Sequence, residues 1–118
     1  MKNVYRKDII LPGMTAGTGY EISLSYRPDT KGYSLFIARY SEDPINKDRT
    51  TRIGDNSTTH GTLLRVTRKL HASRELRLTM ALDVKATELA AAFHEGGNES
   101  LRPIFAAVAA EVANIPTV

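Results

Sequence analysis

Alternation of apolar and polar residues along the stretch from 20 to 40 most constrains what this chain can fold into. Residues 20–26 carry an apolar side chain at every second position, which is the pattern of a half-buried β-strand. Residues 33–40 carry apolar side chains on both faces, which indicates a central strand. Between the two, Pro28 favours a reversal, and Gly32 is predicted to supply its residue of positive φ. The sequence therefore predicts a β-hairpin here.

Three further stretches predict strands. Residues 4–11 read as an edge strand, and residues 62–70 and 74–84 as a second hairpin that turns at 71–73. In the last stretch, five apolar residues alternate from Leu76 to Val84. Leucine and methionine are good helix formers, but strict period-2 spacing favours a strand.

Helical spacing begins near Lys85. One helix is predicted to stop at Gly96–Gly97, and a second to run from Leu101 to Ile115 with Pro103 in its first turn. The order is thus about five antiparallel strands in two hairpins, followed by two C-terminal helices packed on one face of the sheet. This predicts an α+β fold in a single domain over residues 1–118.

Catalytic and metal-binding patterns are not found. The chain has no cysteine, and its three histidines share no ligand spacing, so we predict no metal site and no cofactor. No serine lies in a Gly-x-Ser-x-Gly elbow, and no carboxylate pair stands out, so we predict no catalytic residue and no enzyme activity. The glycines of 13–19 lack the Gly-Lys-Ser/Thr ending of a phosphate-binding loop, which favours a flexible connection.

Segments that would direct the chain to a membrane are not predicted either. Charged residues interrupt any signal sequence after Met1, and the apolar run at 104–112 is too short to span a bilayer. We therefore expect a cytoplasmic protein.

Charge is divided unevenly along the chain. The net charge is +3, and residues up to Leu82 hold 14 Lys/Arg against 8 Asp/Glu, whereas the remainder holds 2 against 5. A strand-rich part that is basic, followed by an acidic helical part, suits a polyanionic partner on one side of the molecule.

A candidate nucleic-acid surface follows from the strand alternation. The sheet face opposite the helices would present cations, hydroxyls and two aromatic rings, and the polar loop 43–61 would add basic groups and hydroxyls. Phosphates would meet the cations, and a base would stack on Phe36 or Tyr40. The candidate binding residues are Arg27, Phe36, Tyr40, Lys47, Arg49, Arg52, Arg65, Lys69 and Arg77.

The sequence leaves several functions open. The first is a small nucleic-acid-binding protein, with single-stranded nucleic acid as the favoured ligand and a homodimer as one expected assembly; DNA and RNA are not distinguished. The alternative is a protein-interaction or inhibitor module, such as an accessory protein of a plasmid or phage, that docks through Phe36 and Tyr40 or through the helices. A third is a small-ligand or enzymatic role that uses the glycine-rich stretch 13–19.

Overall fold

One antiparallel sheet and two C-terminal helices make up the fold, which is α+β as the sequence predicts. The computed structural model describes residues 3–42, 49–51, 58–66 and 68–113. Its strands are β1 (Asn3–Ile9), β2 (Thr18–Arg27), β3 (Gly32–Glu42), β4 (Arg49–Thr51) and β5 (Thr58–Arg65), and its helices are α1 (Ala72–Gly96) and α2 (Arg102–Ala113). A short 3-10 helix, Gly97–Leu101, joins the two helices.

Strand β3 is the centre of the sheet. It pairs with β2 along one edge, and β5 and the three-residue β4 share its other edge, so the described sheet is four strands wide. Among the described strands, β1 pairs only with β2 and is therefore an edge strand. The predicted central and edge positions of these two strands are confirmed.

The hairpin between β2 and β3 turns differently from the prediction. Residues 28–30 form a 3-10 turn, and the residue of positive φ is Lys31, with φ of 52°, rather than Gly32. Gly32 is required for another reason: a Cβ atom there would lie 2.5 Å from the carbonyl oxygen of Leu64 on β5. Close approach of two backbones, and not a left-handed conformation, explains this glycine.

The second predicted hairpin is wrong, because residues 74–84 belong to α1. The buried side chains of α1 are Leu78, Leu82, Ala86, Leu89, Ala90 and Phe93, a helical spacing that continues through Lys85 without a break. Residues of high helix propensity dominate the stretch, and burial of one helical stripe outweighs the period-2 pattern. Four of the five predicted strands are therefore strands, and the fifth is the first half of a long helix.

The predicted end of the first helix at the glycines, and the predicted place of Pro103 in the first turn of the second helix, are both confirmed. Helix α1 ends at Gly96, and Gly97, with φ of 67°, donates its N–H to the carbonyl of Phe93. Pro103 lies in the first turn of α2, where a missing N–H has no cost.

The core lies between the helices and one face of the sheet. The largest fully buried side chains are Ile22, Leu24, Tyr33, Leu35, Ile37, Leu78, Leu82, Leu89 and Val108. Helix α2 approaches the sheet where Gly61 leaves room, because a Cβ atom at that position would lie 3.3 Å from the ring of Phe105. The helices thus cover the face that carries Leu24, Leu35 and Ile37, as predicted.

Asp83 fastens α1 to the edge strand β1. Its carboxylate accepts a 2.8 Å hydrogen bond from the hydroxyl of Tyr5 and a 3.1 Å bond from Nζ of Lys7. The bond from Tyr5, followed by the bond from Lys7, holds the pKa of Asp83 below its ordinary value of 3.8.

Replacing this carboxylate should give a small, pH-dependent loss of stability. A depressed pKa adds stability above the unfolded-state pKa, and that contribution is lost as the pH falls through the folded-state pKa, below 3.8. We expect Asp83→Asn to lower the free energy of unfolding by about 1 kcal/mol or less at pH 7, because the side chain is half exposed. Urea unfolding at pH 7 and pH 3 should show the difference between variant and parent shrinking at the lower pH.

Candidate nucleic-acid interface

Two basic segments meet at the end of the sheet where β2 turns into β3. The N–H of Val66 donates to the carbonyl of Lys31 at 2.9 Å, and the N–H of Leu70 donates to the hydroxyl of Tyr33 at 3.0 Å. These bonds join the hairpin turn to the connection between β5 and α1. We call the cations gathered there the turn-end cluster: Arg27, Lys31, Arg65, Arg68, Lys69 and Arg74.

The charge of the turn-end cluster is only partly compensated. Residues 27–33 and 65–75 hold these six cations and two carboxylates, which gives a net charge of +4. Asp29 pairs with Arg27 at 3.2 Å, and Glu75 lies 3.9 Å from Nζ of Lys69. The side chains of Lys31, Arg65, Arg68 and Lys69 are exposed. The arrangement produces a positive field at one end of the molecule.

Tyr33 supports the turn-end cluster from beneath. Its hydroxyl donates to a carboxylate oxygen of Glu75 at 2.5 Å while it accepts from Leu70. Burial, followed by the bond to Glu75, raises the pKa of Tyr33 above its ordinary value, so the hydroxyl keeps its proton and remains a donor. One side chain therefore ties the central strand both to the β5–α1 connection and to the first turn of α1.

Strand register places two of the predicted binding residues side by side. Arg27 and Arg65 both lie opposite Gly32, on the strands that flank it. Residues in register on neighbouring strands point to the same face, so both arginine side chains project from the sheet face opposite the helices. Their Cα atoms are roughly 10 Å apart, which is two strand spacings.

The aromatic residues of that face differ in accessibility. Phe36 is half-buried, whereas Tyr40 is 4% exposed and Ala38 is fully buried. The ring of Tyr40 packs over Gly19 of β2, because a Cβ atom added at that glycine would lie 2.5 Å from its hydroxyl oxygen. Of the two rings, Phe36 therefore has the greater exposed area on which a base could stack. Phe36 lies about 13 Å along β3 from Gly32.

Two predicted binding residues are not on the sheet at all. Lys69 belongs to the connection between β5 and α1, and Arg77 is on α1 because the predicted strand there is helix. Arg77 lines a shallow groove of about 390 Å³ between α1 and α2, together with Met80, Val84 and Glu111. The basic surface is therefore built by a turn, a connection and a helix start as well as by the sheet.

The remaining predicted residues belong to the loop 43–61. Lys47 and Arg52 lie outside the described residues, and Arg49 is placed by its backbone alone, opposite Glu42 at the start of β4. Their roles stay predictions.

No protein-family model matches the chain, and neither curated proteins nor solved structures give a significant match. The function is therefore argued from the site itself.

Three cations of the turn-end cluster were not among the predicted binding residues. These are Lys31, Arg68 and Arg74. A signal for two of them is present in the sequence, since residues 65–74 hold four Lys/Arg and no acid. No sequence pattern links Lys31 to that run, because the link is the hydrogen bond from Val66.

Other kinds of site find little support in the described part of the chain. Residues 11–18 form two successive turns, closed by bonds from Met14 to Leu11 and from Thr18 to Thr15, and they lead into a strand rather than a helix N-terminus. Among the described residues, no three His, Asp or Glu side chains are grouped so that they could hold a metal ion. None of the described helices is both long and apolar enough to cross a membrane.

Proposed function

We propose that this protein binds nucleic acid, with the turn-end cluster contacting phosphates. The observation that carries the proposal is the meeting of residues 27–33 and 65–75, which concentrates six cations against two carboxylates at one end of the fold. Phosphate contacts supply most of the affinity in sequence-independent binding. The positive end of α1, which begins at Ala72, adds to the same field.

Single-stranded nucleic acid is the favoured ligand class. Phe36 lies on the same sheet face as Arg27 and Arg65, and an aromatic ring on a sheet can meet the faces of bases only where they are unpaired. A nucleic-acid strand whose phosphates contact Arg27 and Arg65 would run along β3 toward the ring of Phe36. A stacked base would contribute roughly 1–3 kcal/mol.

The test is a titration of the full chain with labelled oligonucleotides over a series of salt concentrations. We expect single-stranded DNA or RNA to bind more tightly than the duplex of the same sequence, with a log–log salt slope of about −3. Six cations offset by two carboxylates leave about four effective contacts, and each contributes about 0.7 on a single strand. Absence of binding at low salt would refute the proposal, and tighter duplex binding would refute its single-strand part.

The second candidate is a protein-interaction module, and it rests on a different surface. Helix α1 exposes large apolar side chains at Leu76, Met80 and Val84, which do not belong to the turn-end cluster. Recovery of one protein partner after nuclease treatment, together with no oligonucleotide binding, would favour this function over the first.

A further inference from the structure

The sheet face opposite the helices carries its side chains in rows that cross the strands. Arg27 and Arg65 flank Gly32 in the row at the turn end of the sheet. Phe36 lies two rows further along β3, about 13 Å from Gly32. The row between them holds only small polar side chains, one from each of β1, β2, β3 and β5. We call it the polar row: Asn3, Ser25, Ser34 and Thr62.

Bulges in β1 and β5 keep polar side chains on this face. Strand β5 has one extra residue, Leu63, beside the polar row. Because of it Arg65, and not Leu64, lies opposite Gly32. Strand β1 has an extra residue, Val4, with the same effect on its member of the row. Bulges redirect side chains and are frequent beside functional sites, so two bulges that each replace an apolar side chain by a polar one favour a polar ligand on this face.

Ser34, on the central strand of the polar row, has a hydroxyl without a partner. The residue is 3% exposed, and its Oγ makes no hydrogen bond with any residue that the structure describes. Its neighbour on β2, Ser25, donates to Oδ1 of Asn3 at 2.7 Å. A buried hydroxyl that lacks a hydrogen bond is costly, so the hydroxyl of Ser34 points to a partner from outside the fold.

We propose that the polar row binds the sugar of single-stranded RNA, with Ser34 bonded to a 2′-hydroxyl; this inference rests on the proposed function. A strand whose phosphates contact Arg27 and Arg65 and whose base stacks on Phe36 has its sugars over the row between them. The 2′-hydroxyl can both donate and accept a hydrogen bond, so it satisfies the hydroxyl of Ser34. Deoxyribose lacks this group and leaves Ser34 unpaired, while the phosphates and the base faces are the same in DNA.

The neighbours of Ser34 explain how a hydroxyl on this face is buried and can still meet a ligand. Arg27 and Arg65 are its diagonal neighbours, and Phe36 follows it on the same face of β3. Long side chains reach diagonal neighbours on a sheet, so they can cover a serine that lies between them. Arginine side chains drawn onto bound phosphates would leave the hydroxyl of Ser34 open to the sugar.

Titration of the full chain with an RNA and a DNA oligonucleotide of one sequence tests this inference. A sequence of adenine and cytosine alone makes the 2′-hydroxyl the only difference between the two. We expect the RNA to bind about fivefold more tightly, the effect of one hydrogen bond, with the same log–log salt slope because the phosphates are the same. Equal affinity, or tighter binding of DNA, would overturn the inference and leave the proposed function standing. Binding of neither oligonucleotide would refute the proposed function, and the inference with it.

The variant Ser34→Ala tests the residue. We expect its affinity for RNA to fall about fivefold and its affinity for DNA to stay unchanged, so that the preference disappears. The variant should unfold no more easily than the parent, because the hydroxyl has no partner in the free fold.

Ser23→Ala is the matched control for that change. Ser23 is 8% exposed on the same face, but it lies opposite Phe36 and outside the polar row. This variant should keep the preference for RNA. A preference that survives Ser34→Ala, or one that Ser23→Ala removes equally, would overturn the inference.

Discussion

A variant carrying Arg65→Ala, Arg68→Ala and Lys69→Ala is expected to bind single-stranded nucleic acid on the order of 100-fold more weakly than the parent at about 0.1 M salt. Each lost phosphate contact removes the release of about 0.7 counterion, so the log–log salt slope should fall by about 2. All three side chains are exposed, so their truncation should leave the fold intact. Fluorescence anisotropy over a salt series measures both quantities.

A matched control variant distinguishes the loss of a specific binding site from a general effect of lower net charge. The variant Lys7→Ala, Lys85→Ala, Arg102→Ala loses the same three charges from residues that pair with Asp83, Glu88 and Glu99. These cations lie outside the turn-end cluster, and exposed ion pairs contribute little to stability. The control should retain most of the affinity. Equal losses in the two variants would mean that net charge, and not the turn-end cluster, governs binding.

The parts of the fold that sequence predicts well are those with one dominant periodicity. Residues 20–26 alternate cleanly because β2 has one face on the core, and the apolar residues on both faces of 33–40 correspond to a central β3. Helix termination at Gly96–Gly97 follows from local backbone chemistry, so it too is visible in the sequence.

The stretch 74–84 resembles a strand in sequence because two apolar stripes of one helix overlap in it. Leu78 and Leu82 belong to the buried stripe of α1, and Leu76, Met80 and Val84 form a second, exposed stripe. Two helical stripes on opposite sides of a helix, offset by two residues, produce an alternation that imitates a strand. The period-2 alternation of this stretch is thus the sequence signature of a helix with a second, exposed apolar stripe.

The site could be predicted only in part because its assembly is tertiary. Arg27 and Arg65 belong to strands whose register can be seen only in the folded sheet, where Gly32 lies between them. The uneven charge along the chain indicates a basic region, but it does not show that the turn at Lys31 contacts Val66. The sequence pattern places Tyr40 on the face opposite the helices, but it does not show that its ring is buried there.

Removal of the Tyr33 hydroxyl should cause a large loss of stability. In Tyr33→Phe, Glu75 loses a donor and the N–H of Leu70 loses its acceptor, at a partly buried position. A hydrogen bond to a charged group contributes about 1.5–3 kcal/mol, and an unsatisfied buried N–H adds to the cost. We expect the free energy of unfolding to fall by about 2–3 kcal/mol, and Tm by about 10 °C.

Tyr26→Phe is the matched control, because its ring contacts that of Tyr33 with centroids 5.2 Å apart, while its hydroxyl makes no hydrogen bond to the described residues. It should change the free energy of unfolding by less than about 0.5 kcal/mol. Since Tyr33 ties β3 to Leu70 and Glu75, its loss should also loosen the β5–α1 connection locally. Hydrogen exchange of the Leu70 amide should then accelerate more in Tyr33→Phe than in Tyr26→Phe. Unchanged exchange at Leu70, or equal destabilisation by the two substitutions, would show that this hydroxyl does not hold the turn-end cluster together.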